Sequence, residues 1–147
     1  MIITKVTSVT DDLLQAVNRL LGQLTDSGTP ITRNGLEALV GASNSHLFVA
    51  TDADGTVTGM ITLGIYRAPT GCKGWIEDVV VDDAYRGRGL GRLLTRYAIA
   101  YAEKEGVNLL SLTSNPSRIA ANRLYPEVGF SRKETNVYVM RFGSPQS

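Results

Sequence analysis

Residues 79–94, VVVDDAYRGRGLGRLL, decide how this chain is read. A β-branched run ends at Val81 and leucines at helical spacing start at Leu90, so a strand passes into a helix across a short loop. Three alternating glycines, Gly87, Gly89 and Gly91, occupy the handover. Without Cβ atoms they let successive backbone N–H groups converge on an anion, and the helix N-terminus adds positive partial charge. Arg86 and Arg88 add fixed charge and directional donors suited to phosphate oxygens. The pattern reads as a diphosphate cradle. The plainer alternative is a close strand–helix crossing with solvent-facing arginines.

Two familiar nucleotide loops do not match. A dinucleotide fingerprint needs its third glycine at position 92, where this chain has Arg92. The next strand also ends in Thr113, Ser114 and Asn115, with no acidic ribose ligand. No Gly-Lys-Ser/Thr closes a P-loop. The expected ligand is a diphosphate held without an obligatory metal.

Outward from this stretch, WIEDVVV (75–81) reads as a central strand carrying two carboxylates, and Leu90, Leu93, Leu94, Tyr97, Ala98 and Tyr101 mark a long helix stopped at Gly106. Upstream, 2–6 is a short strand and Leu13, Val17, Leu20 and Leu24 share a helical face, opened by Thr10 or Asp11. TDSGTP (25–30) breaks that helix, and Thr32 caps a weaker second one through Leu36, Leu39 and Val40. DADG joins strands near 46–51 and 56–65 into a hairpin, and RAPTGCKG (67–74) reads as a loop. Downstream, VNLLSLT (107–113) is a strand. Asn115–Pro116 caps and starts a helix ended by Pro126, and ETNVYVMRF (134–142) belongs to a last pair of extended segments. Strands alternating with helices around an antiparallel hairpin give a mixed, largely covered sheet in an α/β chain. One domain is expected over 1–142, with a frayed tail at 143–147.

Composition narrows the classes. The 147 residues carry 15 basic and 14 acidic side chains, a net charge of +1, which argues against a polybasic nucleic-acid binder. The single cysteine, Cys72, excludes an intrachain disulfide, and the single histidine, His46, excludes a histidine cluster or imidazole relay. No metal site is expected. The N-terminal MIITKVTSVT has no long apolar run, so neither signal peptide nor membrane span is expected, and a cytoplasmic location is the default.

Residues 76–94 resemble the acyl-CoA-binding motif of the Gcn5-related N-acetyltransferase (GNAT) superfamily through Arg86, Gly89 and Gly91. SRIAANRLYPEVGF (117–130) resembles the family's closing helix, tyrosine and glycine–phenylalanine turn through Ala121, Leu124, Tyr125, Gly129 and Phe130. The resemblance implies a single-domain acyl-CoA N-acyltransferase fold, α/β or α+β, with a mixed, largely antiparallel sheet flanked by helices and a splayed central strand pair. It implies acetyl-CoA as donor, with backbone groups of Val79, Val80 and Val81 on the pantetheine arm. Donors from Arg86, Gly87, Arg88, Gly89, Leu90 and Gly91 would hold the pyrophosphate. Arg118 or Arg123 would lie toward the adenosine end. Arg118 stands where many members carry asparagine, seven residues before the tyrosine, so the hydrogen bonds of that asparagine are not carried over. The stretch around the glycines is also similar to the cofactor half of glucosamine-phosphate N-acetyltransferases. A homodimer is in keeping with the same resemblance.

Acetyl transfer to an amine needs a neutral amine, stabilised charge on the acyl oxygen and a proton for the departing thiolate. Glu77 is the candidate base, directly or through a water, with amine anchoring by Glu77 or Asp78 as the alternative. Strand alternation would set the two carboxylates on opposite faces. Tyr125 is the candidate general acid, as the family's tyrosine before this turn, against a purely packing role. His46 reads as packed, Cys72 as a loop thiol without a relay, and Tyr97 and Tyr101 as core or edge aromatics. Tyr66, Trp75, Arg67 and Lys73 flank or lie in the 67–74 loop, as acceptor-pocket candidates or ordinary packing and surface charge. The leading expectation is transfer to a small-molecule amine. A peptide or protein amine, or a non-catalytic acyl-CoA sensor, are the alternatives.

Overall fold

The structure, a computed structural model, describes residues 1–24 and 29–143. The start of the TDSGTP break and the tail beyond Gly143 lie outside the described residues. Five strands, β1 (Ile2–Lys5), β2 (Ser45–Thr51), β3 (Val57–Ala68), β4 (Gly71–Val81) and β5 (Leu109–Ser111), form one sheet in that spatial order. The first three pairings are antiparallel; β4 and β5 run parallel. Four helices are described: α1 (Asp11–Leu24), α2 (Arg33–Gly41), α3 (Leu90–Lys104) and α4 (Ile119–Glu127). None is long and apolar enough to cross a membrane.

Local chemistry sets these elements. Thr10 Oγ1 accepts the Leu13 N–H at 3.1 Å and so opens α1, and Thr32 Oγ1 accepts the Gly35 N–H at 3.0 Å to open α2. Asp52 Oδ1 accepts the N–H groups of Asp54 and Thr56 at 2.9 and 3.0 Å, closing the turn between β2 and β3. The sheet buries both faces. On one, Phe48, Ile61, Leu63 and Ile76 pack against Leu90, Leu94 and Ala98 of α3; on the other, Leu47, Val49, Met60 and Val80 pack against Val17 and Leu20 of α1 and Leu36 of α2. Tyr97 and Tyr101 meet the ring of Phe48 edge-on at 5.1 and 5.0 Å, and Tyr101 lies 4.9 Å from the buried His46 ring.

Five expectations need correction. The 67–74 segment is not a loop: β3 continues to Ala68 and β4 starts at Gly71, with Arg67 opposite Cys72 and Tyr66 opposite Lys73. Only Pro69 and Thr70 turn, and Cys72 is buried. The strand expected over 107–113 is three residues long, because its pairing with β4 stops at Trp75–Ser111. Asn115 does not cap a helix. Its Oδ1 accepts the Ser117 N–H at 2.9 Å in a local turn around Pro116, and α4 starts only after Arg118. Pro126 sits within the last turn of α4 rather than after it. The last pair of strands does not form either: residues 131–143 belong to no strand and are exposed.

At Gly59 the sheet meets α3 closely. A Cβ there would lie 2.9 Å from Leu94 Cδ1 and 3.0 Å from the Val80 carbonyl oxygen. Gly59→Ala should therefore destabilise the fold by about 1–3 kcal/mol through overpacking, read as a lower urea midpoint at unchanged slope.

Candidate functional site

The site starts from an irregularity in β4. Met60 pairs with Val80, but Thr62 pairs with Glu77, so two steps along β3 match three along β4. The extra residue is absorbed at Asp78, whose φ of +50° is the only positive one for a non-glycine among the described residues. Its effect shows in the packing. Ile76 faces α3, whereas Val80, four residues on, faces α1 and α2; an unbroken strand would put both on one face. The alternation that would have placed Glu77 and Asp78 on opposite faces is interrupted here. Glu77, opposite Thr62, lies on the α1–α2 side.

Both residues are exposed, yet partial desolvation by the surrounding chain pushes both carboxyls above their ordinary values. For Glu77 the charge of Asp78 adds to the rise, while a hydrogen bond from the Trp75 side chain pulls the other way.

Past Trp75–Ser111 the parallel ladder ends, and β4 and the chain leaving β5 part. Val79, Val80 and Val81 then line a cleft of about 470 Å³, closed on its other sides by the start of α3 and by α4. Gly89, at φ +77° and ψ +12°, precedes α3, and no side chain caps that helix. The first N–H groups of α3 therefore have no intrahelical partner, and the positive end of the helix opens into the cleft. Gly87 has the same left-handed φ of +77°. A Cβ on Gly91 would lie 3.6 Å from Leu124 and 3.8 Å from Val81, so any side chain there would narrow the space between strand and helix. These features fit the diphosphate and arm of a coenzyme A.

Of the residues singled out from sequence, Val79, Val80, Val81, Arg86, Gly87, Gly89, Leu90, Gly91 and Tyr125 come together on this cleft. Arg88 does not line it; its guanidinium lies over the Tyr85 ring, 5.1 Å from the centroid. Glu77 is also off the lining. Arg86 is partly committed, pairing with Asp83 at 2.8 Å and donating from Nε to the Val81 carbonyl at 3.2 Å.

The loop between β4 and α3 is anchored from outside. Asp82 accepts from the Ala84 N–H at 3.0 Å and pairs with Arg19 at 3.1 Å, which holds its carboxyl below the usual range, the Ala84 contact foremost. Gln23 Oε1 accepts the Asp83 N–H at 2.8 Å, and the Tyr85 hydroxyl donates to Asp52 Oδ2 at 2.7 Å. Sequence reading missed Arg19 and Gln23, since one helical turn on a distant element carries no local mark of what it touches.

Tyr125 is 7% exposed, with its ring edge-on to Phe130 at 5.9 Å. Burial raises its phenol pKa and the Arg118 charge lowers it. The hydroxyl is thus kept as a proton donor at neutral pH. Arg118, also on the cleft, points Nη2 at the Val79 carbonyl at 3.5 Å. Ser114 Oγ, on the chain leaving β5, is buried without a hydrogen-bond partner among the described residues.

Comparison with known proteins identifies a family for this chain. A profile of the Acetyltransferase (GNAT) family matches residues 14–130. The mycothiol acetyltransferase of Thermobispora bispora is 32% identical over 97 residues, covering 64% of this chain and 33% of its own length. The streptothricin acetyltransferase of Streptomyces lavendulae is 33% identical over 94 residues, 60% of this chain and 46% of its own. The chain thus spans between a third and a half of these curated relatives. The crystal structure of glucosamine-6-phosphate N-acetyltransferase from Arabidopsis thaliana superposes with a TM-score of 0.77 over 95% of this chain and 99% of that one, at 21% identity, a likeness of fold alone.

The bulge carries a testable consequence. Asparagine tolerates the left-handed backbone, so Asp78→Asn should leave the fold intact while removing a carboxyl whose folded pKa is raised. A raised folded pKa gives stability that is full below the unfolded value and is lost as pH rises through the folded one. Asp78→Asn should therefore be more stable than the natural chain at pH 7, with the gap closing at about pH 3, below the ordinary carboxyl value of 3.8. Urea midpoints at the two pH values check this. A carboxyl NMR titration should also find Glu77 moved down toward its ordinary value.

Proposed function

The chain belongs to the acetyltransferase (GNAT) family, and on that premise we propose that it is an acetyl-CoA-dependent N-acetyltransferase acting directly on the primary amine of a small molecule. The observation that carries this reading is the meeting of the uncapped α3 N-terminus, the parted edge of β4 and the buried Tyr125 on one cleft. Backbone donors from Arg86 to Gly91 receive the pyrophosphate, and those of Val79–Val81 receive the pantetheine arm and the charge that builds on the acyl oxygen. Acetyl-CoA supplies the activated thioester. Glu77 takes the proton that the acceptor ammonium must lose, directly or through a water, and its raised pKa makes it a stronger base than an ordinary glutamate. The Tyr125 hydroxyl gives a proton to the departing thiolate. The ammonium thus loses one proton to Glu77 before the C–N bond forms and a second from the tetrahedral intermediate as the C–S bond breaks. The tyrosine proton ends on sulfur, the second nitrogen proton restores Tyr125 through solvent, and Glu77 releases the first to solvent. Relatives named for mycothiol and streptothricin support a small-molecule acceptor over a peptide amine.

Free-thiol release from acetyl-CoA should be screened against amino sugars, polyamines, amino acids and short peptides, with product masses confirming acetylation. Turnover on a small amine supports the reading. Acetylation of peptides alone would move the acceptor to a macromolecule. Acyl-CoA binding with no turnover would make the chain a sensor, and no acyl-CoA affinity would remove the transferase reading.

Tyr125→Phe should keep the fold and coenzyme A affinity while lowering kcat by about 10²-fold or more, the usual worth of a proton donor at the leaving group. If only the ring matters, kcat will stay near that of the natural chain. The acidic limb of kcat/KM should follow Glu77, falling as pH drops through its raised pKa. Asp78→Asn should move that limb to lower pH, because one cause of the rise is gone. A limb that Glu77→Gln leaves in place would assign the base elsewhere.

A further inference from the structure

The register of β3 and β4 sorts the side chains at their joined ends. Glu77 pairs with Thr62, Trp75 with Gly64 and Lys73 with Tyr66, so these six positions share one face of the sheet. It is the α1–α2 face, because Ile76 on β4 and Leu63 and Ile65 on β3, which alternate with them, pack toward α3. Arg67 pairs with Cys72 and falls on the α3 side. Lys73 and Arg67, neighbours in the expected loop, therefore do not make a two-cation site.

One end of this face is closed: Leu47, Met60 and Val80 are buried under α1 and α2. From Thr62 and Glu77 outward it is open. None of the six residues is buried, and Tyr66 is 51% exposed. At the centre a Cβ on Gly64 would meet a single atom within 4 Å, the Trp75 carbonyl oxygen at 3.9 Å, so there is free space above the glycine. The Trp75 side chain donates to Glu77 and so leans along its strand toward the carboxyl. A dent is left over Gly64, with the indole at one side and Tyr66 two positions along β3.

The two ends of this shelf carry opposite charge. Glu77 lies two residues before Val79, the first β4 residue on the coenzyme A cleft. Lys73 lies four residues back on the same face, about 13 Å away along the strand. It makes no ion pair among the described residues. Between the two charges stand only Trp75 and, on β3, Gly64, both uncharged. A solvated sheet face carries polar side chains in such rows; a glycine beside a tryptophan instead leaves room and an apolar wall.

We propose that this shelf selects the acceptor, and that the acceptor is an amine bearing one carboxylate at the far end of a flat or apolar body. The amine sits at Glu77, the body over Gly64 against the Trp75 and Tyr66 rings, and the carboxylate at the Lys73 ammonium. A single cation matches a single negative charge. An α-amino acid holds its amine and carboxylate on one carbon and does not reach from Glu77 to Lys73. The direction of the amine rests on the transferase reading above; the binding itself needs no turnover.

Calorimetry on the chain saturated with coenzyme A separates the two. Para-aminomethylbenzoate, with its amine and carboxylate at opposite ends of a ring, should bind about tenfold tighter than benzylamine. It should also bind tighter than phenylalanine. Lys73→Met should remove the advantage over benzylamine and leave benzylamine itself unchanged. Gly64→Val should keep the fold, since the position is a strand with ordinary contacts and no left-handed φ. By filling the dent it should weaken both ring amines about tenfold while coenzyme A binds as before. Equal binding of the two ring amines would overturn the proposal. So would phenylalanine binding as tightly as para-aminomethylbenzoate, a Lys73→Met chain that keeps the preference, or a Gly64→Val chain that binds like the natural one. Binding in this pattern without acetylation would keep the shelf and remove the transferase reading. Acetylation of amines with no preference for the carboxylate would do the reverse.

Discussion

The short parallel ladder between β4 and β5 is the constraint on which the site rests. Three paired residues hold the strands together at Lys73–Trp75, and pairing then stops while β4 continues to Val81. Backbone groups of Val79–Val81 that a longer β5 would have occupied are left to the cleft, where the Val79 and Val81 carbonyls accept from the guanidinium groups of Arg118 and Arg86. Because α3 follows β4 after a short loop, its N-terminus opens at the same place. Strand divergence and helix direction thus produce a cleft that offers backbone donors in an otherwise apolar sheet, while the single histidine, His46, is packed elsewhere against Phe48 and Tyr101.

The bulge at Asp78 works on the same strand. It changes which face β4 presents, so that Val80 joins the α1–α2 core while Ile76 remains with α3. It also sets two exposed carboxyls side by side, and desolvation first, with the Asp78 charge second, makes Glu77 a stronger base. Placing a left-handed aspartate in the middle of a long strand is unfavourable locally. Cross-strand pairing on both sides of it holds the conformation.

Much of this was legible in the residues. Helical spacing from Leu90, the Thr10 and Thr32 caps, the DADG turn and the glycine-rich handover are local signals, and each sits where local chemistry puts it. The cleft formed by Val79–Val81 and the glycine loop was legible for the same reason, since a strand, a glycine loop and a helix are contiguous. What was not legible depends on pairing at a distance. Pro69 and Gly71 read as loop breakers, but a two-residue turn lets both strands run on to Ala68 and from Gly71. Nothing in IEDVV marks a bulge. The apolar alternation after Thr135 states that a strand is possible there, and is silent on which sheet would receive it. Arg118 read as a departure from a pattern and as a candidate for the adenosine end, and its reach to the Val79 carbonyl follows from how α4 docks across the cleft.

Asp52 serves two neighbours at once. One carboxylate oxygen closes the turn of the β2–β3 hairpin and the other receives the Tyr85 hydroxyl from the loop before α3. Surface turns ordinarily drift freely in sequence. This one is denied that latitude: a serine or glycine that preserved the bend would cut the cord to the glycine loop some thirty residues away. The evolutionary tolerance of an outlying hairpin is thereby limited by a site in which it takes no part.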